Sequence, residues 1–225
     1  MKSKACMAGV LFAAWLVLGQ SFAQAQTHAD HMEHHFDPAQ SAKMFDDPVR
    51  DSWQMPDRVI ATLALKPGQI VADIGSGTGY FSIRLAKSLT TPKVYGADIE
   101  PDMVKYLEHR GAQEGLRNVV AVQAAADSAN LPEPVDVVLI VDTYHHIADR
   151  ETYFRKLAKS LKTGGRIAII DFKPDSPEGP PPEFRFSPEK VKSEMAKAGY
   201  KLVVQYDFLP RQNFLIFSVA GRRDR

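Results

Sequence analysis

The sequence predicts an α/β fold, a doubly wound and mostly parallel sheet with helices on both faces. Three observations carry the prediction. Short apolar runs at Val71–Ile74, Lys93–Asp98, Asn118–Gln123, Val135–Val141 and Arg166–Asp171 alternate with segments of helical periodicity. The first run passes through Gly75-Ser76-Gly77-Thr78-Gly79 into Phe81, Ile83, Leu85 and Ala86, which reads as strand, tight turn and helix. The fourth run is apolar almost without interruption, as suits a strand covered on both faces.

In chain order, Lys2 and Lys4 precede the apolar stretch Ala8 to Leu18, and Ala23-Gln24-Ala25 puts small residues where a signal peptidase reads. Residues 1–25 therefore read as a secretory signal cleaved after Ala25, with Ala23 as the alternative site. An uncleaved anchor is the alternative, although the stretch scarcely reaches the roughly 20 residues of a spanning helix. The mature chain is expected in a bacterial-type periplasm or secreted, with no stable membrane insertion after cleavage. The lone cysteine, Cys6, falls in the signal, so the mature chain has no disulfide and no Cys-based metal site. Residues 26–38 are expected to form a mobile leader holding His28, His31, His34 and His35. Its imidazoles and acids suit transition metals, but no apolar periodicity would hold them rigid, and no metal is assigned.

Residues 39–225 are expected to form one domain of ordinary size. With 28 basic and 27 acidic residues the net charge is +1, and the only basic cluster is the tail Arg222-Arg223-Asp224-Arg225. Nucleic acid is not the expected partner. Residues 39–65 are amphipathic and read as one or two helices broken around Pro48 and Pro56, and Lys66-Pro67-Gly68 is a turn into the first strand.

The glycine spacing identifies the turn. A dinucleotide fingerprint runs G-x-G-x-x-G/A, whereas Gly75, Gly77 and Gly79 give G-x-G-x-G with Tyr80 at the next place. Asp73-x-Gly75-x-Gly77-x-Gly79 resembles the first motif of the class I S-adenosylmethionine-dependent methyltransferases, and residues 59–220 resemble that family's domain in element order. The resemblance implies seven strands, with an antiparallel C-terminal strand joining the sheet, and S-adenosylmethionine as cofactor. It implies that Asp73, Gly75, Ser76, Gly77 and Gly79 form the cofactor turn and that Asp127 meets the adenine amine. It also implies that the helices before the first strand fold over the cofactor, making Arg50, Trp53 and Gln54 lid candidates. The alternative is a cover that only packs on the sheet. Asp98, 19 residues beyond Gly79, stands where a second strand presents a carboxylate to ribose hydroxyls, with Ile99 beside it. Glu100 is the competing acid.

The fourth strand ends in Asp142-Thr143-Tyr144-His145-His146, at the sheet end where open α/β folds bind ligands. Asp142 is a cofactor-side candidate. His145 or His146 is the candidate general base for an acceptor that must lose a proton, and Tyr144 would orient the acceptor. Both histidines could instead be structural. Beyond them, Arg150–Leu161 reads as a helix ended by Lys162-Thr-Gly-Gly165, and Asp171 faces either the acceptor or Lys173. The proline-dense stretch 174–188 reads as a helix-free loop, Ser187-Pro188 opens the last helix, and 200–208 and 212–220 read as the last strands.

The expected function is methyl transfer to an acceptor, favoured as a small molecule because the chain carries no large added domain and no basic face. A protein methyltransferase, or an exported non-catalytic binding protein on the same fold, is the alternative. Oligomeric state is left open.

Overall fold

The structure, a computed structural model, describes residues 38–88 and 92–221; the expected signal, the leader to residue 37 and the tail 222–225 lie outside the described residues. Three helices, α1 (Pro38–Phe45), α2 (Val49–Gln54) and α3 (Pro56–Thr62), precede β1 (Ile70–Ile74). There follow α4 (Tyr80–Lys87), β2 (Lys93–Asp98), α5 (Pro101–Gln113), β3 (Val119–Gln123) and β4 (Val135–Val141). The chain ends with α6 (Arg150–Leu157), β5 (Leu161–Phe172), α7 (Pro188–Lys197), β6 (Tyr200–Tyr206) and β7 (Gln212–Val219).

The strands make one seven-stranded sheet in the order β3-β2-β1-β4-β5-β7-β6. Strand β7 runs antiparallel to both β5 and β6, and the other six are parallel to one another. The alternation of strand side chains divides the core in two. Ala72, Val138, Ile140, Ile167 and Ile169 meet Phe154 and Leu157 of α6 and Val191 and Met195 of α7. Val71, Val137, Leu139, Ala168 and Ile170 meet Val59 of α3, Leu63 just beyond it, and Phe81 and Leu85 of α4. Residues 137–140 of β4 are fully buried, which is why that run reads as apolar throughout. Winding reverses between β1 and β4, so the crevice outside their carboxyl ends is the topological switch point.

The N-terminal segment breaks where its prolines require. Met55 takes φ +47° between α2 and α3, and Pro56 opens α3. Two expectations are corrected. The helix from Arg150 ends at Leu157; a 3-10 turn, Ala158–Ser160, follows and the chain enters β5 at Leu161, ahead of its glycines. Leu161 and Arg166 pair with Val135 and Val137, so Lys162–Gly165 is extra chain taken up within the ladder, with Gly164 at φ +76°. The proline-rich loop holds a single 3-10 turn, Pro182–Phe184, because a fixed φ near that of a helix suits such a turn even where a longer helix is barred. Among the described residues no helix is long and apolar enough to cross a membrane.

Gly79 tests how tightly the turn is built into this frame. Its φ is +89°, and a Cβ there would lie 2.5 Å from Leu107 Cδ1 of α5. Gly79→Ala is expected to cost about 2–4 kcal/mol through backbone strain and overpacking together. A urea midpoint that falls with unchanged slope would register it; an unmoved midpoint would contradict the packing described.

Candidate functional site

The glycine turn hangs from the end of β2. Gly75 and Ser76 donate their N–H groups to Ala97 O at 2.8 and 3.2 Å, and Gly79 N donates to Ser76 O at 2.8 Å. Gly75 has φ +74°, and a Cβ on it would overlap the side chain of Thr143, so the turn lies directly against the segment after β4. Buried within the turn, Ser76 Oγ and Thr78 Oγ1 have no hydrogen-bond partner. Buried polar atoms are normally paired, so this pair points to a ligand at the turn.

Asp98 closes β2 beside it. One carboxylate oxygen accepts from Gly77 N at 2.7 Å and the other from Glu100 N at 2.9 Å. A carboxylate has about four acceptor sites, so each oxygen keeps capacity for one hydroxyl of a vicinal diol. Burial raises the Asp98 pKa against those hydrogen bonds. Ile99, half exposed at 49%, offers a flat apolar surface next to it. Asp73, 3% exposed, accepts from Ser82 Oγ at 2.7 Å, and burial, with the charge of Asp98 adding, pushes it up to about 6.

The N-terminal cover reaches over this turn. A Cβ on Gly77 would lie 3.4 Å from the Phe45 ring. Arg110 bridges Asp46 and Thr78 O, both at 2.9 Å. Asp51 takes the Tyr80 hydroxyl and Arg84. At the centre is Asp142, just past β4 at φ +52°. Its carboxylate accepts from Gln212 Nε2, from Gln54 Nε2 at 3.1 Å and from Arg50 at 3.4 Å. Burial raises its pKa; Arg50 opposes this and the charge of Asp171 adds to it. Arg50 and Gln54 thus reach the strand end at Asp142, while α3 packs on the sheet.

The segment after β4 separates its three candidates. The His145 backbone N–H donates to Asp171 Oδ2 at 3.0 Å, and its Nδ1 lies 2.9 and 3.0 Å from the two carboxylate oxygens. Burial opposes charging His145, but the carboxylate of Asp171 outweighs it and the pKa is raised. The His146 ring lies 4.1 Å from that of His145, centroid to centroid. Tyr144 is placed differently from the expectation that it orients an acceptor. It is fully buried, stacks on Phe154 and donates to Glu194 Oε2 of α7 at 2.5 Å. Burial alone would raise Glu194, but Arg150 and Tyr144 hold it down to about 2, which makes Tyr144 a packing residue. Asp127 stands exposed on the turn after β3, with its carboxylate 2.6 Å from Lys156 Nζ, so the structure does not gather it with Asp98. Asp171 is committed to His145 rather than to Lys173, whose ammonium donates to Leu209 O.

Two open clefts lie away from this site. One of about 400 Å³ is lined by Asp57, Ile60, Arg84 and Lys87, and another of about 370 Å³ by Gly164, Arg166, Lys201 and Val203. Neither of these two holds a residue of the carboxyl-end constellation, and the chemistry of its side chains identifies the site.

A family model described as a methyltransferase domain matches residues 65–206. The chain belongs to that family. The solved structure of a SAM-dependent methyltransferase from Aquifex aeolicus matches 82% of this chain and 100% of its own at 28% identity and TM-score 0.75. Phosphoethanolamine N-methyltransferase 3 of Arabidopsis thaliana is 36% identical over 125 residues, 54% of this chain and 24% of the plant enzyme. The 27-O-demethylrifamycin SV methyltransferase of Amycolatopsis mediterranei is 33% identical over 122 residues, 53% of this chain and 44% of that enzyme. The chain therefore spans a quarter to a half of these two relatives. S-adenosylmethionine is the cofactor of the family, and the residues here fit it: partnerless hydroxyls at Ser76 and Thr78, a diol-competent carboxylate at Asp98 and the apolar face of Ile99.

Gln212 and Thr78 were not legible as site residues, and Asp171 only as an acid at a strand end. The roles of Gln212 and Asp171 depend on strand order, which brings β7 and β5 to the β4 side of the sheet, and that of Thr78 on the burial of its hydroxyl within the turn.

The buried acid Asp73 makes stability depend on pH. Its folded pKa of about 6 exceeds the ordinary 3.8, so its contribution is present below the lower value and lost as pH rises through the higher. Asp73→Asn can still accept from Ser82 through its amide oxygen but carries no charge. It is expected to exceed the parent in stability at pH 7 by about 1–3 kcal/mol, with the gap closing toward about pH 4. Urea unfolding at both pH values measures this, and a parent more stable at pH 7 would reverse the sign argued here.

Proposed function

We propose that the chain transfers a methyl group from S-adenosylmethionine to a small-molecule acceptor at the carboxyl ends of β1, β2, β4 and β5, and that it does so after export. The partnerless hydroxyls of the glycine turn beside the Asp98 carboxylate carry the cofactor assignment. When bound, the cofactor supplies a sulfonium methyl open to in-line displacement. The turn and Asp98 fix its position, Asp127 is the proposed adenine partner once released from Lys156, and the cover excludes water from the crevice. A small acceptor is supported by the relatives, whose names include phosphoethanolamine and rifamycin methyltransferases. Export rests on the charged, apolar and small-residue pattern of the first 25 residues.

Titration calorimetry with S-adenosylhomocysteine tests the cofactor site. Binding in the micromolar range is expected, weakened about 100-fold or more in Asp98→Ala, because two hydroxyls lose a buried charged acceptor. Equal affinity in the variant would remove Asp98 from the site. Intact-mass measurement of the exported protein is expected to find Gln26 as the first residue, and a mature chain starting at Met1 would defeat the export proposal.

A further inference from the structure

The β6 edge of the sheet carries a cation that the fold leaves short of partners. Arg166 of β5, Ser218 of β7 and Lys201 of β6 lie directly opposite one another in the ladder. Residues paired in this way share a face of the sheet, so the three side chains stand in a row across three strands. All three line the cavity of about 370 Å³ at this edge, as do Gly164 and Gly165, which bring no side chains, and Leu202 and Val203, apolar residues 39% and 56% exposed. Arg166 donates through Nη2 to the carbonyl oxygens of Leu63 and Ala64, while its Nε is buried without a hydrogen-bond partner. Burial lowers its pKa, against the charges of Tyr206 and Asp136. Asp136 does not complete a pair, because its Oδ2 is held by Lys162 Nζ at 2.7 Å and by the Ile70 N–H at 2.8 Å. Among the described residues neither Arg166 nor the exposed Lys201 forms an ion pair. A half-buried charge with only carbonyl dipoles beside it favours any anion that reaches the same cavity.

We infer that this cavity binds a phosphate group, with Arg166 and Lys201 supplying charge from its two sides and the Ser218 hydroxyl a hydrogen bond between them. The row spans about 10 Å, two strand spacings. A carboxylate directs both its oxygens one way, whereas a phosphate presents three that diverge, which suits donors arriving from opposite sides. A guanidinium fork and a flexible ammonium are the donors that phosphate takes up most strongly. The group comes either on a soluble phosphomonoester or as the head of an anionic lipid, whose apolar part then meets Leu202 and Val203. Arg166 pairs with Val137 near the amino end of β4, whereas Asp142 lies past its carboxyl end, so this site and the crevice occupy opposite ends of the sheet. The ligand here is therefore neither the methyl donor nor its acceptor. Arg166 also pins Leu63 and Ala64 to the sheet, and that structural role alone would leave the protein indifferent to phosphate.

Calorimetry on the full chain with glycerol 3-phosphate, and with dihexanoyl phosphatidic acid below its micelle concentration, tests the site. Saturable binding of at least one is expected, weakened about 10-fold or more in Lys201→Glu, which sets an acid opposite Arg166, and in Arg166→Gln. The bound ligand should also raise the melting temperature of the parent but not of Lys201→Glu. Lys201 is exposed, so its exchange leaves the fold intact and keeps the test standing if Arg166→Gln fails to fold. Affinity for S-adenosylhomocysteine should be the same in Lys201→Glu as in the parent, which separates this cavity from the crevice. Similar affinity for the two ligands supports the site with a soluble phosphomonoester as its source, and much tighter binding of the lipid supports it with a headgroup. Absence of binding by both, or binding that Lys201→Glu leaves unchanged, would overturn the inference.

Discussion

Four strands of the parallel core bring an aspartate to the same end of the sheet, and satisfying those buried carboxylates organises everything around them. Asp73, Asp98, Asp142 and Asp171 are all largely withdrawn from water. A buried charge left unpaired costs several kcal/mol, so each acid requires its own donors. Ser82 of the helix after the turn serves Asp73, and two backbone N–H groups serve Asp98. His145 serves Asp171, and the side chains of Gln54, Arg50 and Gln212 serve Asp142. The donors of Asp142 come from both ends of the domain, and its requirement draws the N-terminal cover and β7 onto the same point.

That requirement also divides the cover into an anchor and a flap. Helix α3 buries Val59 completely, as the chain just beyond it does Leu63, and so belongs to the hydrophobic core. Helices α1 and α2 are held chiefly by polar ties: Asp46 to Arg110, Asp51 to Arg84 and Tyr80, and Arg50 with Gln54 to Asp142. Hydrogen bonds and partly exposed ion pairs exchange with water at little net cost, whereas apolar burial does not. The two parts meet at Met55, whose left-handed backbone breaks the helix between them. Segments with few buried apolar contacts are those that open locally. Helices α1 and α2 are therefore tied to the crevice mainly through polar contacts, whereas α3 is held by apolar burial.

Periodic features were legible in the chain because they depend on neighbours in sequence. Alternating burial marked the strands, the glycine spacing marked the turn, and Pro48 and Pro56 marked the breaks. The site was legible only where one residue type at one strand end suffices, as at Asp98. Pairings across the sheet were not. Tyr144 and His145 are adjacent polar residues on a 3-10 turn, where each step rotates by about 120°, so one faces α7 and the other β5. Their separation became visible only through Glu194, 50 residues on, and Asp171, 26 residues on. Asp127 sits at the expected place after β3, but a lysine from α6 holds its carboxylate, and that contact depends on how the helix packs. Lys162–Gly165 looked like a helix stop because glycine there is locally ambiguous between a C-terminal cap and a bulge.

The family match runs from residue 65 to residue 206, and that boundary separates the two halves of the chemistry. Inside it lie the glycine turn, Asp98, His145 and Asp171, the residues proposed for the cofactor site and the segment beside it. Outside it lie Arg50, Trp53, Gln54, Arg211 and Gln212, which reach over the same end of the sheet from the two ends of the domain. Relatives of nearly equal identity carry N-methyltransferase and 27-O-demethylrifamycin methyltransferase names, so the shared part does not choose the acceptor atom. The segments outside it are short and lie at the ends of the domain, and they meet the matched part at Asp142 through polar contacts and at Phe172 through an aromatic one. Any segment placed over this end of the sheet has to supply donors to the Asp142 carboxylate, which ties the cover and β7 to the same buried charge.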